Sequence, residues 1–179
     1  MKKLILLLCF GIGALASNAQ NLQNEIPAEY GYILKPGQTV PDFDITLPDG
    51  TKTSMQALRG KVVMLQFTAS WCSVCRKEMP HIEKEIWLKH KGNSNFALFG
   101  IDLKEDKETI LKFREQTKIT YPLALDIDGS IFYSFAEKEA GVTRNVIVDK
   151  NGKIVFMTRL YKEEEFNAMI KVIEKLLKE

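Results

Sequence analysis

The sequence predicts an α/β sandwich in which helices pack on a mixed β-sheet. Strand-like and helix-like segments alternate over residues 61–138, as they do when helices connect the strands of a sheet. Residues 142–178 then have the pattern of a β-hairpin followed by an amphipathic helix. The alternating segments and the terminal hairpin together indicate a sheet with both parallel and antiparallel strands.

The N-terminal part is expected to contain a lead-in and a hairpin. Residues 20–38 are polar and include the run KPG, which predicts an extended lead-in to one domain at residues 39–179. The stretch VPDFDITLPDGTKTSM alternates around the turn residues PDG and predicts a β-hairpin. The apolar, valine-rich run KVVMLQFTA at residues 61–69 predicts a strand buried on both faces.

Helices and strands follow one another in the rest of the chain. Apolar residues recur at helical spacing from Ser73 to about Lys91, and Pro80 interrupts them. A proline inside a helix removes a hydrogen bond, so this helix is expected to bend. The later predicted elements are a strand at 96–103, a helix at 107–117, a short strand at 121–126, a helix at 129–138, a hairpin turning at 150–152 and a helix at 162–178.

The first 19 residues have the layout of a secretory signal peptide. Two lysines precede an apolar run, and small residues precede a cleavage site between Ala19 and Gln20. The apolar run is shorter than the roughly 20 residues that a spanning helix needs, and no later segment is apolar enough to cross a bilayer. We expect a periplasmic or other extracytoplasmic protein with no stable membrane insertion after cleavage.

The charge balance argues against partners that bind a basic surface. The full chain of 179 residues has 25 lysines and arginines, 23 acidic residues and a net charge of +2. Removal of residues 1–19 takes away two lysines and no acid, so the net charge falls to zero. A neutral chain is not expected to bind nucleic acid or an anionic membrane.

Two of the three cysteines remain after cleavage, and both lie at the start of a helix. Cys9 leaves with the predicted signal peptide, whereas Cys72 and Cys75 directly follow the buried strand. The pair is a redox couple, two ligands of a metal, or a structural disulfide. The structural interpretation is the weakest, because a disulfide across so short a loop removes little chain entropy.

A metal site would need ligands that this stretch of sequence does not supply. Tetrahedral zinc takes four ligands, and a second C-x-x-C is absent from the sequence. The available histidines, His81 and His90, lie on the same predicted helix as the cysteines. The redox interpretation is therefore favoured, and the metal interpretation stays open.

The expected position of Cys72 favours redox chemistry. A helix N-terminus carries a partial positive charge and unpaired N–H groups, which stabilise an anion there. Such placement lowers a cysteine pKa from about 8.5 into the range of roughly 3.5 to 7.5. We expect Cys72 to attack as a thiolate and Cys75, one turn later, to resolve the mixed disulfide.

The run WCSVCRKEMP, preceded by VVMLQFTAS and by VPDFDI, resembles the thioredoxin fold in its exported TlpA/ResA-type branch. The resemblance covers about residues 38–178. It implies a thioredoxin-like three-layer α/β/α sandwich with an N-terminal β-hairpin. It also implies a thiol-disulfide oxidoreductase without a cofactor or metal. Such an enzyme acts on exported proteins with disulfides, is favoured as a reductase, and is kept reduced by a membrane electron donor.

The resemblance assigns roles to residues around the redox pair. Trp71 is implied to form part of the docking surface for client proteins, with core filler as the alternative. Gln66 stands where thioredoxin has a buried aspartate. Glu78 is the acid that follows the pair in this branch and is our candidate proton acceptor for Cys75. The alternative for Glu78 is a solvated helix residue paired with a lysine.

The chain departs from the family opposite the cysteines. The family has a cis-proline in a run resembling G-V-P-T-x-x-x-I-D, and the corresponding GVTRNVIVD has Thr143 in the proline position. A cis bond without proline costs about 2.5 to 4 kcal/mol, so we predict a trans bond between Val142 and Thr143. Val142 inherits the family role of pairing with the incoming peptide, and Thr143 places a hydroxyl near Cys72. Arg144 either reaches the cysteines and stabilises the thiolate, or is a surface residue.

Two other functions remain as alternatives to the oxidoreductase. A peroxiredoxin-like peroxidase would share the opening VPDF, but that family has Thr or Ser three residues before its peroxidatic cysteine, where this chain has Ala69. A binding module would use the C-x-x-C pair to hold a metal or an iron-sulfur cluster.

Overall fold

One mixed sheet of seven strands is present in the computed structural model, which describes residues 26–179. The predicted signal peptide and the first part of the expected lead-in lie outside the described residues. The strands are β1 Asp44–Thr46, β2 Lys52–Ser54, β3 Val62–Thr68, β4 Phe96–Leu103, β5 Leu123–Asp126, β6 Arg144–Val148 and β7 Ile154–Arg159. Their order in the sheet is β2-β1-β5-β4-β3-β6-β7.

Helices follow the strands much as the alternation of the sequence predicts. They are α1 Ser73–Ile82, α2 Leu88–His90, α3 Lys107–Thr117, α4 Ser130–Tyr133 and α5 Glu163–Lys178. A π-helical turn, Glu83–Trp87, joins α1 to α2, and a short 3₁₀ helix spans Ala28–Tyr30. None of the helices within residues 26–179 has the length and apolar character that a membrane span requires.

The central strand β3 carries the site and is buried along its whole length. It pairs in parallel with β4, from Val62 opposite Phe96 to Thr68 opposite Asp102, and antiparallel with β6. Strands buried on both faces have continuous apolar sequences, which is why residues 61–69 could be recognised as a strand. The predicted hairpin at β1 and β2 and the hairpin of β6 and β7 are also present, so the expected mixed sheet is confirmed.

Helices on both faces of the sheet make a three-layer α/β/α sandwich. On one face, α1 contacts α3 where Arg76 lies over the ring of Phe113, and contacts α5 where His81 packs near Phe166. On the other face, Phe67 of β3 packs edge-on against Phe132 of α4, with 5.7 Å between ring centroids. The predicted fold class is therefore confirmed.

The helix predicted at 129–138 is shorter in the structure and ends at Tyr133. The segment at residues 26–38 forms hydrogen bonds with the backbone groups that follow Tyr133. The amide of Ile33 donates to the carbonyl oxygen of Phe135 at 2.9 Å, and the amide of Glu137 donates to that of Gly31 at 3.0 Å. These long-range bonds replace the helical ones, so the expected length of this helix was wrong.

Candidate active site

Cys72 and Cys75 form a disulfide at the junction of β3 and α1. Cys72 is the N-cap residue of α1, with extended backbone angles, and its Sγ accepts a hydrogen bond from the amide of Cys75 at 3.1 Å. The two Cα atoms are 5.3 Å apart. The predicted placement of the pair at a helix N-terminus is confirmed.

Exposure differs between the residues of the WCSVC run. The side chain of Cys75 is fully buried, whereas Cys72 keeps 7% of its surface exposed. Trp71 is 66% exposed, although a large indole is usually well buried. The interpretation of Trp71 as core filler is therefore wrong, and Cys72 is the more exposed of the two cysteines.

Thr143 faces the disulfide from the loop before β6. Its Oγ1 lies 3.1 Å from Cys72 Sγ and 3.3 Å from Cys75 Sγ, and the side chain is buried. The bond between Val142 and Thr143 is trans, as predicted, since residues 26–179 contain no cis peptide bond. Val142 is also buried, with 3% of its surface exposed.

Three hydrogen bonds hold the loop that carries Thr143. The carbonyl oxygen of Thr143 accepts from the amide of Leu160 at 3.1 Å and from Nη1 of Arg159 at 3.4 Å. The Nε of Arg144 donates to the carbonyl oxygen of Gly141 at 2.9 Å. Leu160 itself has a φ of 64°, in the left-handed region that a leucine rarely adopts.

Arg144 is fully buried, so its interpretation as a surface residue is wrong. Its guanidinium lies over the ring of Tyr32, 4.3 Å from the centroid, and 5.8 Å from that of Phe132. Side chains alternate along a strand, and the next residue, Asn145, points towards α1. Arg144 therefore contacts the α4 side of the sheet and the loop at Gly141, and these contacts do not include the cysteines.

Glu78 lies on α1 three residues after Cys75 and is buried, with 1% of its surface exposed. Its Oε1 accepts a hydrogen bond from Nδ2 of Asn145 at 2.7 Å, and its Oε2 has no hydrogen-bond partner among residues 26–179. Burial raises the pKa of Glu78 to about 7, against a smaller lowering by the Asn145 hydrogen bond. The alternative interpretation, a solvated surface glutamate, is wrong.

The polar residues next to Glu78 come from three neighbouring strands, and Asn145 is the one that donates to its carboxylate. Gln66 of β3 is paired with Asn145 of β6, and Asn145 is paired with Thr158 of β7. Nδ2 of Asn145 donates to Oγ1 of Thr158 at 2.9 Å, and the hydroxyl of Tyr121 donates to Oε1 of Gln66 at 2.6 Å. The partners of Gln66 were not predicted from the sequence. The apolar strands β3, β6 and β7 each contain a polar residue, namely Gln66, Asn145 and Thr158. This pattern was the signal that could have indicated them.

A second acidic group holds the chain just before Trp71. The amide and the hydroxyl of Ser70 each donate to the carboxylate of Glu105, both at 2.6 Å. Asp102 is buried nearby. Its burial is the main cause that raises its pKa to about 9, and the neighbouring Glu105 is the second cause. Glu105 therefore fixes the loop between β3 and Cys72, a role that sequence spacing did not indicate.

The histidines considered as metal ligands have other contacts. His81 stacks on Tyr161 at 5.0 Å between centroids and pairs with Glu85, and His90 packs against Phe96. Within residues 26–179, no group of three or more His, Cys, Asp or Glu side chains is arranged to hold a metal ion.

Comparison with known proteins identifies relatives over most of the described chain. The model of the Redoxin family matches residues 35–177. Thiol-disulfide oxidoreductase ResA of Bacillus cereus is 29% identical over 119 residues, which cover 66% of this chain. The matched region is also 66% of the length of that relative.

Solved structures are similar over a larger share of the chain. The solution structure of a candidate protein disulfide isomerase from Bacteroides thetaiotaomicron is 58% identical, with a TM-score of 0.81 over 83% of this chain and 94% of that one. A thiol:disulfide interchange protein DsbE candidate from Chlorobium tepidum is 25% identical, with a TM-score of 0.69 over 80% of this chain and 99% of that one. The chain therefore belongs to the Redoxin family, as a thioredoxin-fold protein of the TlpA/ResA type.

Proposed function

We propose that the chain is a thiol-disulfide oxidoreductase that reduces disulfides of exported proteins through Cys72 and Cys75. The observation that carries the proposal is a disulfide at the N-cap of a helix, in which Cys72 keeps 7% of its surface exposed and Cys75 is fully buried. A purely structural disulfide does not require this difference in exposure. A pair in which one cysteine attacks and the other resolves does require it. The names of the relatives, an oxidoreductase and a candidate disulfide isomerase, support the same chemistry.

In the proposed reaction, the reduced pair transfers two electrons to a client disulfide. The Cys72 thiolate attacks one client sulfur and forms a mixed disulfide, and the other client sulfur leaves as a thiolate that takes up a proton. The thiol of Cys75 then loses its proton and attacks Cys72 Sγ. This step forms the Cys72–Cys75 disulfide and releases the second client sulfur.

Glu78 is the proposed acceptor of the Cys75 proton. It follows Cys75 by three residues on α1, and residues three apart on a helix share a face. Burial holds its pKa at about 7, so the carboxyl group can both accept and return a proton near neutral pH. A glutamate with the unperturbed pKa of 4.5 would be a weaker base and would accept the proton from Cys75 less readily.

Trp71 and Val142 are the proposed contacts for the client. The exposed indole of Trp71 offers a large apolar surface directly beside Cys72. Val142 directly precedes Thr143, whose hydroxyl lies 3.1 Å from Cys72 Sγ, and its backbone is the proposed pairing partner of the client beside the sulfurs. The site binds an extended segment around the client cysteine, and Thr143 borders the same position.

The proposal places the protein outside the cytoplasm, with a membrane electron donor that reduces the pair after each cycle. The signal-like residues 1–19 support export. The donor must supply two electrons as a dithiol, because each cycle leaves Cys72 and Cys75 as a disulfide.

The reduction potential of the pair tests both the function and its direction. The mature protein is equilibrated in dithiothreitol and glutathione buffers, and free thiols are trapped and counted. We expect a value below about −230 mV, which marks a reductase, whereas a value above about −150 mV would mark an oxidant or isomerase. Cys72→Ser and Cys75→Ser are the matched controls, and neither should form an intramolecular disulfide. If the wild-type protein forms none either, the proposal fails and metal binding by the pair becomes the better hypothesis.

A further inference from the structure

Thr143 provides a hydroxyl group that touches both sulfurs of the redox pair. Its Oγ1 lies 3.1 Å from Cys72 Sγ and 3.3 Å from Cys75 Sγ. The proline that the family pattern has at this position carries no hydroxyl and no other donor. The chain therefore has a hydrogen-bonding group at its disulfide where the related sequences are expected to have none.

We infer that Thr143 is a catalytic residue that stabilises the Cys72 thiolate and thereby sets the reduction potential of the pair. In the reduced protein its hydroxyl donates to Cys72 Sγ and accepts a hydrogen bond from the thiol of Cys75. A hydroxyl has one donor and two acceptor lone pairs, so it makes both bonds at once. The inference rests on the proposed function, because it concerns the same two cysteines.

Reduction strengthens the bond to Thr143. The sulfurs of a disulfide are uncharged and accept only weak hydrogen bonds, whereas a thiolate accepts a charge-assisted one. The amide of Cys75, 3.1 Å from Cys72 Sγ, is a second donor to the same atom. Donors that favour the charged form lower a pKa. Thr143 therefore favours the reduced state and makes the pair more oxidising than it would be without the hydroxyl.

The hydroxyl is held at this distance by contacts of the loop backbone. A proline ring would restrict the backbone at this position. In this chain, hydrogen bonds from Leu160 and Arg159 to the carbonyl oxygen of Thr143 restrict it instead. Arg144 holds the carbonyl oxygen of Gly141, two residues earlier. Arg144 and Arg159 are thus positioning residues for Thr143, which gives the buried guanidinium of Arg144 a role although it does not contact the sulfurs.

The substitution Thr143→Val tests the inference, because valine keeps the shape of threonine and removes the hydroxyl. The pKa of Cys72 is followed in the reduced protein by the ultraviolet absorbance of the thiolate, and the potential by equilibration with glutathione. We expect the pKa to rise by about one to two units, the range for one hydrogen bond to a charged group. The potential should fall by about 30 mV for each tenfold loss of thiolate stability.

Two controls separate the hydroxyl from its surroundings. Thr143→Ser keeps the hydroxyl and should retain the wild-type pKa and potential to within a few tenths of a unit and a few millivolts. Thr68→Val removes another buried hydroxyl, whose contact is Met79 Sδ at 3.6 Å, and should change neither quantity. If Thr143→Val does not fold, Thr143→Ala gives the same comparison.

The outcomes distinguish this inference from the proposed function. If wild-type protein cycles between dithiol and disulfide but Thr143→Val has the same Cys72 pKa and potential, the inference is wrong and the proposed function stands. A shift as large in Thr143→Ser as in Thr143→Val would also overturn it, because packing would then be the cause. If wild-type protein forms no Cys72–Cys75 disulfide in glutathione buffers, the proposed function fails first.

Discussion

Glu78 is a carboxyl group that folding removes from water, and this gives it a measurable effect on stability. Its pKa is 4.5 when unperturbed and about 7 in the folded protein, with burial as the main cause. Below pH 4.5 both folded and unfolded chains hold the proton. Between the two values only the folded chain holds it, so stability falls as pH rises, and the loss is complete above about pH 7.

We predict that Glu78→Gln removes this part of the pH dependence. In the oxidised protein, where the cysteines do not titrate, the variant should gain stability relative to wild type as pH rises from 4.5 to 8. The expected gain is at most about 3 kcal/mol, since one pKa unit corresponds to 1.36 kcal/mol. Urea unfolding at several pH values measures the difference between the two proteins. Parallel pH profiles would contradict the prediction.

The residues of the site differ in how well the sequence indicates them. Cys72 and Cys75 were predictable because their roles depend on local spacing and on the helix that starts there. The burial of Glu78 and of Arg144 was not predictable, because it depends on which side chains neighbouring strands bring to each face. Asn145 meets Glu78 only because β6 pairs with β3 in this register. A charged residue in a single sequence is assigned to the surface unless such a partner is known.

At the scale of elements, α1 is tied to the sheet by its π-helical turn. The carboxylate of Glu83 accepts hydrogen bonds from the amide of Thr120 at 2.8 Å and from its hydroxyl at 2.6 Å. The amide of Tyr121 is a weaker third donor at 3.4 Å, and Nε1 of Trp87 donates to Oγ1 of Thr120 at 2.9 Å. The far end of the redox helix is therefore fixed to the segment that enters β5.

We predict that Glu83→Ala lowers the free energy of unfolding by about 2 kcal/mol or more, because it removes two hydrogen bonds from Thr120 to the charged, nearly buried carboxylate of Glu83. The change should appear as a lower urea midpoint. The pKa of Cys72 should stay at its wild-type value, because Cys72 lies at the opposite end of α1.

Glu85→Ala is the matched control in the same π-helical turn. Its carboxylate is partly exposed and pairs with His81 at 3.3 Å, so its removal should change stability by less than about 1 kcal/mol. Equal losses in Glu83→Ala and Glu85→Ala would show that the hydrogen bonds to Thr120 are not the cause.

The lengths of elements were less predictable than their existence. Residues 129–138 have a helical pattern of apolar side chains, yet α4 ends at Tyr133. Tyr32 makes a bridge to Ala136 and donates its hydroxyl to the carbonyl oxygen of Thr158 at 2.7 Å. A segment about one hundred residues earlier in the chain thus ends the helix, and local periodicity contains no information about such a contact.

At the scale of the whole molecule, the sheet gathers the groups of the site from distant parts of the chain. The mixed character of the sheet was predictable, because alternating helices and strands with a final hairpin allow few arrangements. The junction of β3 and α1 supplies the cysteines, and the junction before β6 supplies Thr143, which is 71 residues later than Cys72. Their approach to 3.1 Å is a product of the fold, and the resemblance in sequence only indicated it.

A thermodynamic cycle joins this site to the stability of the whole molecule. Folded and unfolded chains, each oxidised or reduced, form four states. The stability gained on oxidation therefore equals the difference between the reduction potentials of the unfolded and folded chains, at about 1.4 kcal/mol for every 30 mV. A reductase with a low folded-state potential is stabilised by its disulfide more than an oxidant is.

We predict that Thr143→Val changes the potential and the stability by the same free energy. Thr143 is far from the cysteines in the unfolded chain, so the substitution should leave the unfolded potential unchanged. A fall of 30 mV in the folded protein must then widen the stability gap between its oxidised and reduced forms by about 1.4 kcal/mol. Urea unfolding of wild type and variant, with and without reductant, measures that gap. If the potential falls while the gap does not widen, the potential of the unfolded chain has fallen equally, and the effect does not depend on the folded contact between Thr143 and the cysteines.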